Sequence, residues 1–420
     1  AGIEVGAVIS EINSTPINEW VDNAVAFSGP FSTDFTERLQ KLRYAVRAPL
    51  GNSFEVVFQN PDADEPETVT LDTVPEFDSF SQSSFAAGTG ILDLPVQYNM
   101  IDGTNYAYAK ITSFFDNQVL TVQLWERLLQ TLNEQGVEGL VIDMRQNSGG
   151  FGFLADQMAA YFFMDPLTLG NTARYDESTD SFYADPRYAD VFYLPDESLR
   201  YDGKVAVLVA PSCVSACEFF AYDMAQEDRA AIVGQYPTGG LGGSVNDVLM
   251  PGGIYFRATY GRAVDNDGNI HIEGKGVPPT VQVPVTLETL NSDGDPILDA
   301  AVEWLDDATQ VEITEGDEIA VDEEVEGDIP DGGRVHHLLT VAMGDLVTII
   351  AFADDDGLDT YLRLYDTDGN LLLENDDIED GNTDAGLVEL EIPQDMTLVV
   401  EVGAYGDSGG GAYTLSVVSE

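Results

Sequence analysis

The spacing of hydrophobic residues changes along this chain, and each change marks a different kind of structure. Over residues 1–75 the pattern is mixed. Val8, Ile9 and Ile12 follow two turn-forming glycines, Gly2 and Gly6. From Thr33 onward Phe35, Leu39, Leu42 and Val46 recur at helical spacing. FEVVFQ and ETVTLDTV then predict two strands joined by the turn-rich NPDADEP. Residues 76–103 show no period and read as a linker.

From Tyr106 the texture is α/β. YAYAKITSF predicts a strand, and a helix follows over roughly 117–134 with Leu120, Leu124, Leu128 and Leu132 on one face and Gly136 at its end. The uninterrupted apolar run GLVIDMR predicts a buried strand, followed by NSGG and a helix ending near Phe163. After a β-rich insertion at about 165–200, KVAVLVA predicts a strand that runs into the helix SCVSACEFFAYDMA, and AAIVGQ a further strand. The region closes with strands to about Val285 and a helix around Pro296–Leu305. Such alternation indicates a sheet layered with helices, assigned here to residues 104–306. An acidic linker is expected at 307–318. Residues 319–420 carry only short alternating strands separated by turns such as TDGN and GDSGGG, the pattern of a β-sandwich of about 100 residues.

The charge is far from balanced: 75 Asp and Glu against 17 Lys and Arg give a net charge of −58. That field repels phosphate backbones and anionic lipid, so nucleic acid and membrane headgroups are poor candidate partners. No run reaches the roughly 18 apolar residues of a membrane span. Dispersed acids of this kind read first as a solvated surface. The two cysteines, Cys213 and Cys217, are too few for a four-ligand zinc site. Their spacing fits a short-loop disulfide in an oxidising compartment and equally two reduced, buried thiols.

Three segments place polar or glycine turns at the carboxyl ends of buried strands, where open α/β sheets hold ligands: GLVIDMRQNSGG, VLVAPSCVSACEFFAYDM and VGQYPTGGLGGSVNDV. Ser215 sits at a strand-to-helix turn. Its hydroxyl can project there, while the helix N-terminus offers unpaired N–H groups and positive potential. A developing oxyanion could accept from the N–H of Ala216 and from that of Gly149, since glycine lets backbone approach a substrate closely. A serine at such a turn is also an ordinary N-cap.

The residues themselves resemble the tail-specific, or C-terminal-processing, serine proteases. That family carries L-V-I-D-L-R-x-N-x-G-G and, on the next strand–helix turn, S-A-S-E. Here these are Leu140, Val141, Ile142, Asp143, Met144, Arg145, Asn147, Gly149 and Gly150, then Ser215, Ala216, Cys217 and Glu218. The resemblance implies an acyl-enzyme on Ser215 with Gly149 and Ala216 as the oxyanion hole, polypeptide as substrate, and no cofactor or metal. Gly2, Gly6, Ile9, Ile12, Asn13 and Pro16 resemble part of a PDZ pattern whose first strand would lie upstream. Asp359, Tyr361, Leu364, Tyr365, Asp366, Gly369, Asn375, Asp376 and Asp377 resemble the bacterial pre-peptidase C-terminal domain, a companion of secreted hydrolases. Its Asp-rich turns are candidates for Ca2+ and also for simple Asx turns. The expected architecture is an α/β protease core preceded by a partial PDZ-like α+β unit and followed by an all-β sandwich, in a secreted or cell-surface protein of bacterial type.

One departure bears on mechanism. The lysine that the Ser–Lys branch carries in F/Y-G-K-G is absent from Pro237 to Gly243. The tricorn-like branch instead pairs the serine with a histidine and a supporting Glu just before the closing G-V-x-P, a place that Glu273 fits. His271, two residues earlier on the same face of a strand, and Lys275 are outside candidates for the base. His336 and His337 belong to the sandwich. The resemblance therefore implies a base on a segment N-terminal to Ala1, a histidine within about one domain's length. The competing expectation is a protease fold kept as an extracellular binding or structural component.

Overall fold

A computed structural model of the chain describes residues 2–26, 31–78, 94–115, 117–355, 357–367, 369–378, 383–405 and 409–419. Most of the segment read as a linker, residues 79–93, lies outside the described residues. The chain divides into two compact units, Ala1–Thr309 and Gln310–Glu420.

The first unit opens with β1 (Val8–Ile12), β2 (Thr15–Pro16), α1 (Ile17–Asp22), α2 (Asp34–Ala45), β3 (Ser53–Gln59) and β4 (Glu67–Asp72). The sheet order is β2-β1-β3-β4. α2 starts where Thr33 Oγ1 accepts from Thr36 N. Ile9, Ile12, Trp20, Phe54, Val56 and Leu71 line an apolar cavity of about 400 Å³ in this subdomain.

The larger part of the unit contains β5 (Val96–Met100), β6 (Tyr106–Ile111), α3 (Gln118–Gln135), β7 (Gly139–Asp143), α4 (Gly152–Ala159), β8 (Thr168–Asp176), β9 (Ser181–Tyr183), β10 (Ala189–Val191), β11 (Lys204–Leu208), α5 (Ala216–Met224), β12 (Ala230–Gly234), β13 (Val245–Met250), β14 (Ile254–Thr259), β15 (Gly261–Val264), β16 (Val281–Gln282), α6 (Leu287–Leu290) and α7 (Pro296–Thr309). Six strands form the central sheet in the order β16-β12-β11-β7-β6-β5, parallel except for β5. β5 lies inside the stretch read as linker, so the sheet begins ahead of residue 104.

Both faces of this sheet are covered, which is why GLVID and KVAVL are uninterrupted apolar runs. On one face Leu140, Ile142, Val205 and Val207 pack with α3, α4 and α5. On the other Val141, Ala206, Leu208 and Val233 pack with Ala301 and Leu305 of α7. Asn117 caps α3 by accepting from Val119 N and Leu120 N, and Gly136 ends it in the left-handed region (φ 61°). Its buried stripe is Thr121, Trp125, Leu128, Leu129 and Leu132, while Leu120 stays 40% exposed. The stripe is thus turned from the leucine face the sequence suggests, because the Trp125 indole fills the groove and donates to Met158 O. β13 and β14 pair only with each other among the described residues, with Leu249, Ile254, Tyr255 and Phe256 exposed.

The second unit has two sheets around one apolar core. One contains β17 (Ile313–Glu315), β19 (Arg334–Val341), β24 (Met396–Ala404), β21 (Thr360–Asp366) and β22 (Leu371–Asn375) in that order. The other contains β18 (Glu323–Ile329), β25 (Gly411–Ser419), β20 (Leu346–Ala353) and β23 (Ala385–Glu391). The stretch expected as an acidic linker, 307–318, thus holds the end of α7 and the strand β17. Glu401 of β24 is 2% exposed and stands in register between His336 of β19 and Arg363 of β21. It accepts from Arg334, Arg363 and Tyr365 and bonds His336 Nε2 at 2.7 Å. His337 is buried between Asp317 O and the Tyr413 hydroxyl.

Candidate active site

The site is built from three sheet ends. β7 ends in a rigid corner. Asp143 accepts from the Arg145 guanidinium and the Tyr108 hydroxyl, and Arg145 also forks onto Asp295 ahead of α7. Burial alone would raise the Asp143 pKa, but these donors outweigh it and hold the carboxyl below its ordinary value. Beyond the corner, buried Asn147 spans the turn, with Nδ2 donating to Ile111 O and Oδ1 accepting from Gly149 N at 2.8 Å.

The second sheet end, after β11, carries Ser215. Its φ of 57° and ψ of −125° lie in a region that side chains rarely adopt. A Cβ on Gly149 would stand 2.8 Å from Ser215 Cβ and 3.1 Å from Ala216 N, so only glycine permits this approach. The Ala216 N–H has no hydrogen-bond partner among the described residues. A disulfide joins Cys213 and Cys217, the outcome the spacing left open, and closes a short loop around Ser215.

The third sheet end, after β12, is the glycine loop. Thr238 Oγ1, Gly240 N and Leu241 N all donate to Glu218 at 2.6–2.8 Å, and Ser215 N donates to the same carboxylate at 3.0 Å. Glu218 is fully buried. Burial raises its pKa, opposed by these four donors. Thr238 in turn accepts from Val277 N, which ties the loop to the G-V-P turn. Neither Glu218 nor Thr238 was assigned a role from sequence. The signal was present, since Ser215 and Glu218 have capping-box spacing.

Of the expected site residues, Ser215, Ala216 and Gly149 come together. The Gly149 N–H, however, is directed at Asn147 Oδ1. Glu273 faces Arg262, whose Nε donates to it at 3.1 Å, and makes no hydrogen bond to Ser215. His271 packs against Tyr222 with ring centroids 4.1 Å apart and planes tilted by 45°. Tyr222 lies seven residues along α5 from Ser215, about 10 Å of helix, so His271 stands away from the hydroxyl. Lys275 Nζ donates to Ile270 O. Among the described residues no three His, Cys, Asp or Glu side chains form a metal-ligand group. In the sandwich turn where Ca2+ was considered, Asp366 accepts from the main-chain and side-chain amides of Asn370.

The profile of Peptidase family S41 matches residues 105–283, which hold all three sheet ends. These residues are an S41 peptidase domain. The matched residues thus carry the signature of a serine peptidase of the tail-specific type. The tail-specific protease of Haemophilus influenzae is 28% identical over 138 residues, which are 33% of this chain and 18% of that relative. Two structures of mature CPAF, one complexed with lactacystin, superpose with TM-scores of 0.50 and 0.51 at 15% identity. Each covers 73% of this chain, and 77% and 76% of CPAF respectively. At that identity the likeness is one of fold.

Proposed function

We propose that the S41 domain cleaves peptide bonds through an acyl-enzyme on Ser215. The observation that carries this reading is the strained Ser215 turn, pressed against Gly149 and fixed by the Glu218 carboxylate. The Ser215 hydroxyl attacks, in this reading, beside the Ala216 N–H, which has no hydrogen-bond partner among the described residues. In this reading Ala216 N–H is one oxyanion donor, and Gly149 N–H is the second once it leaves Asn147. Glu273 with Arg262 supports the rim of the site.

The base in this proposal is a histidine on a segment N-terminal to the present sequence. Supporting this, none of the four lysines (Lys41, Lys110, Lys204, Lys275) or three histidines makes a hydrogen bond to Ser215. The N-terminal subdomain, read as PDZ-like, would take an extended polypeptide end beside its apolar cavity. The second unit is read as a pre-peptidase C-terminal sandwich. Export is supported by the disulfide and by the net charge of −58.

The Gly149 N–H engaged by Asn147 Oδ1 favours a second reading, a binding protein on a protease fold. A fluorophosphonate probe separates the two. The hydrolase reading expects full-length gene product to be labelled at Ser215 and Ser215→Ala to stay unlabelled. Absence of labelling in the full-length wild type would favour the binding protein.

A further inference from the structure

Three carboxyl groups that the proposed chemistry does not use meet beneath the nucleophile helix. Asp156 of α4, Asp223 of α5 and Asp190 of β10 line one small cavity together with Asn171, Tyr222 and His271. Asp223 is 1% exposed and Asp156 8%. Neither oxygen of Asp223 has a hydrogen-bond donor, and the buried Nδ1 of His271 is also without a partner. The Asn171 amide is turned away, donating to Asp185 O. No lysine or arginine lines the cavity.

A bare carboxylate in such a place is strongly disfavoured, and two adjacent carboxyls relieve the cost by holding a proton between them. We propose that Asp156 and Asp223 are positioning residues that share one proton, clasp α4 to α5, and so keep Gly149 seated against Ser215.

The placement supports this. α4 follows the Asn147–Gly150 turn and α5 follows Ser215, so the pair joins the two helices that carry both sides of the site. With a Gly149 Cβ position only 2.8 Å from Ser215 Cβ, that junction has no slack. Loss of the proton would set two anions facing each other, with Asp190 beside them. The other groups around the pair are Tyr222 on α5 and His271, which itself faces Asp265 and Lys275.

Burial first, then repulsion from Asp190, lifts Asp156 to about 7 against a hydrogen bond with Asp223 that lowers it. Burial first, then repulsion from Asp156 and Asp190, lifts Asp223 well above the carboxylate range, and burial lifts Asp190 to about 6. The fold therefore keeps protons that the unfolded chain releases near pH ~4. Stability from this source is complete below that value and is lost as pH rises through about 6 to 7. The chain has only three histidines, so few other groups titrate in that window.

The inference rests on the hydrolase reading only in its kinetic part. The Tm of the whole chain is expected to fall by roughly 5 °C or more between about pH 5.5 and 8.5. That fall should flatten in Asp223→Asn and in Asp156→Asn, because an amide stands in for the protonated acid. Infrared spectra of the wild type near pH ~6.5 should show the carbonyl band of a buried protonated carboxyl. This measurement needs no variant. In the full-length protein, fluorophosphonate labelling should decline across the same pH range in wild type and not in Asp223→Asn. A Tm slope that persists in both variants, or a missing carboxyl band, overturns the proposal. A wild-type Tm raised by Mg2+ or Ca2+ and unmoved in Asp223→Asn also overturns it, since the occupant would then be a metal ion. No labelling at any pH alongside the expected Tm slope would refute the hydrolase reading and leave the proton pair standing.

Discussion

The main-chain N–H of Ser215 donates to Glu218 Oε2, and the same carboxylate holds Gly240, Leu241 and Thr238 on the neighbouring loop. One buried carboxyl group thus sets the Ser215 turn against the glycine loop. Glu218→Ala strands four donors at once and is expected to cost about 3 kcal/mol or more. Glu218→Gln keeps the shape but turns an NH2 toward donors, so it should fall between the two. Chemical denaturation of the three proteins checks the order, and an Ala variant as stable as wild type contradicts it.

Ser215 carries backbone strain that an alanine would share. Ser215→Ala should abolish labelling and leave Tm nearly unchanged, because φ stays at 57°. Ser215→Gly should abolish labelling too, yet exceed the alanine variant in stability by about 1 kcal/mol. Equal stabilities of the two variants would mean that the turn is not strained.

Gly149→Ala brings a Cβ to 2.6 Å from Val214 O and 2.8 Å from Ser215 Cβ, at a φ of 91°. We expect a loss of about 2 kcal/mol or more together with loss of labelling. In Gly152→Ala, three residues on, the added Cβ meets nothing within 4 Å and should change neither. Comparing the two variants isolates the contact with Ser215 from any general effect of an added methyl.

Reduction of Cys213–Cys217 frees a short loop, a chain-entropy loss of about 2 kcal/mol. A reductant should lower the Tm of the first unit and slow labelling of Ser215, which lies inside the loop. The double Cys→Ala variant should show the same shift and no further response to reductant. A reductant effect that survives in that variant would have another origin.

The second unit has its own buried core, and residues 310–420 expressed alone should unfold cooperatively. A chain ending at Thr309 should keep the thermal transition of the first unit. A broad, non-cooperative melt of the isolated 310–420 fragment would show that this core is not self-sufficient.

The parts of the fold visible in sequence are those with a strong period. β7 and β11 are buried on both faces and read as apolar runs, and the turns carrying Gly149 and Ser215 follow them directly. β5 was hidden because VQYNM is an outer strand exposed over most of its length, with no alternation to read. β17 was hidden by its acidic surroundings. At the site, Ser215 and Gly149 were legible as a turn serine and a glycine after buried strands. Beyond its capping-box spacing to Ser215, the role of Glu218 was not, because three of its four donors come from a loop 20 to 23 positions later, and a Glu at that helical position ordinarily faces water. The Asp156–Asp223 pair was less visible still. Sixty-seven residues separate the two, and nothing local distinguishes them from the other acids of so acidic a chain.

Glu401, held among His336, Arg334 and Arg363, alternates along β24 with Val400 and Val402, whose side chains lie in the core. Sliding β24 by a single residue would drive that carboxylate inward and turn a valine out, so mispaired versions of this sheet are penalised twice. Salt at a concentration sufficient to mask the protein's outer charge would scarcely reach a group so enclosed. Refolding in brine should therefore select the same strand alignment as refolding in dilute buffer, with Glu401 acting as the proofreading mark of its sheet.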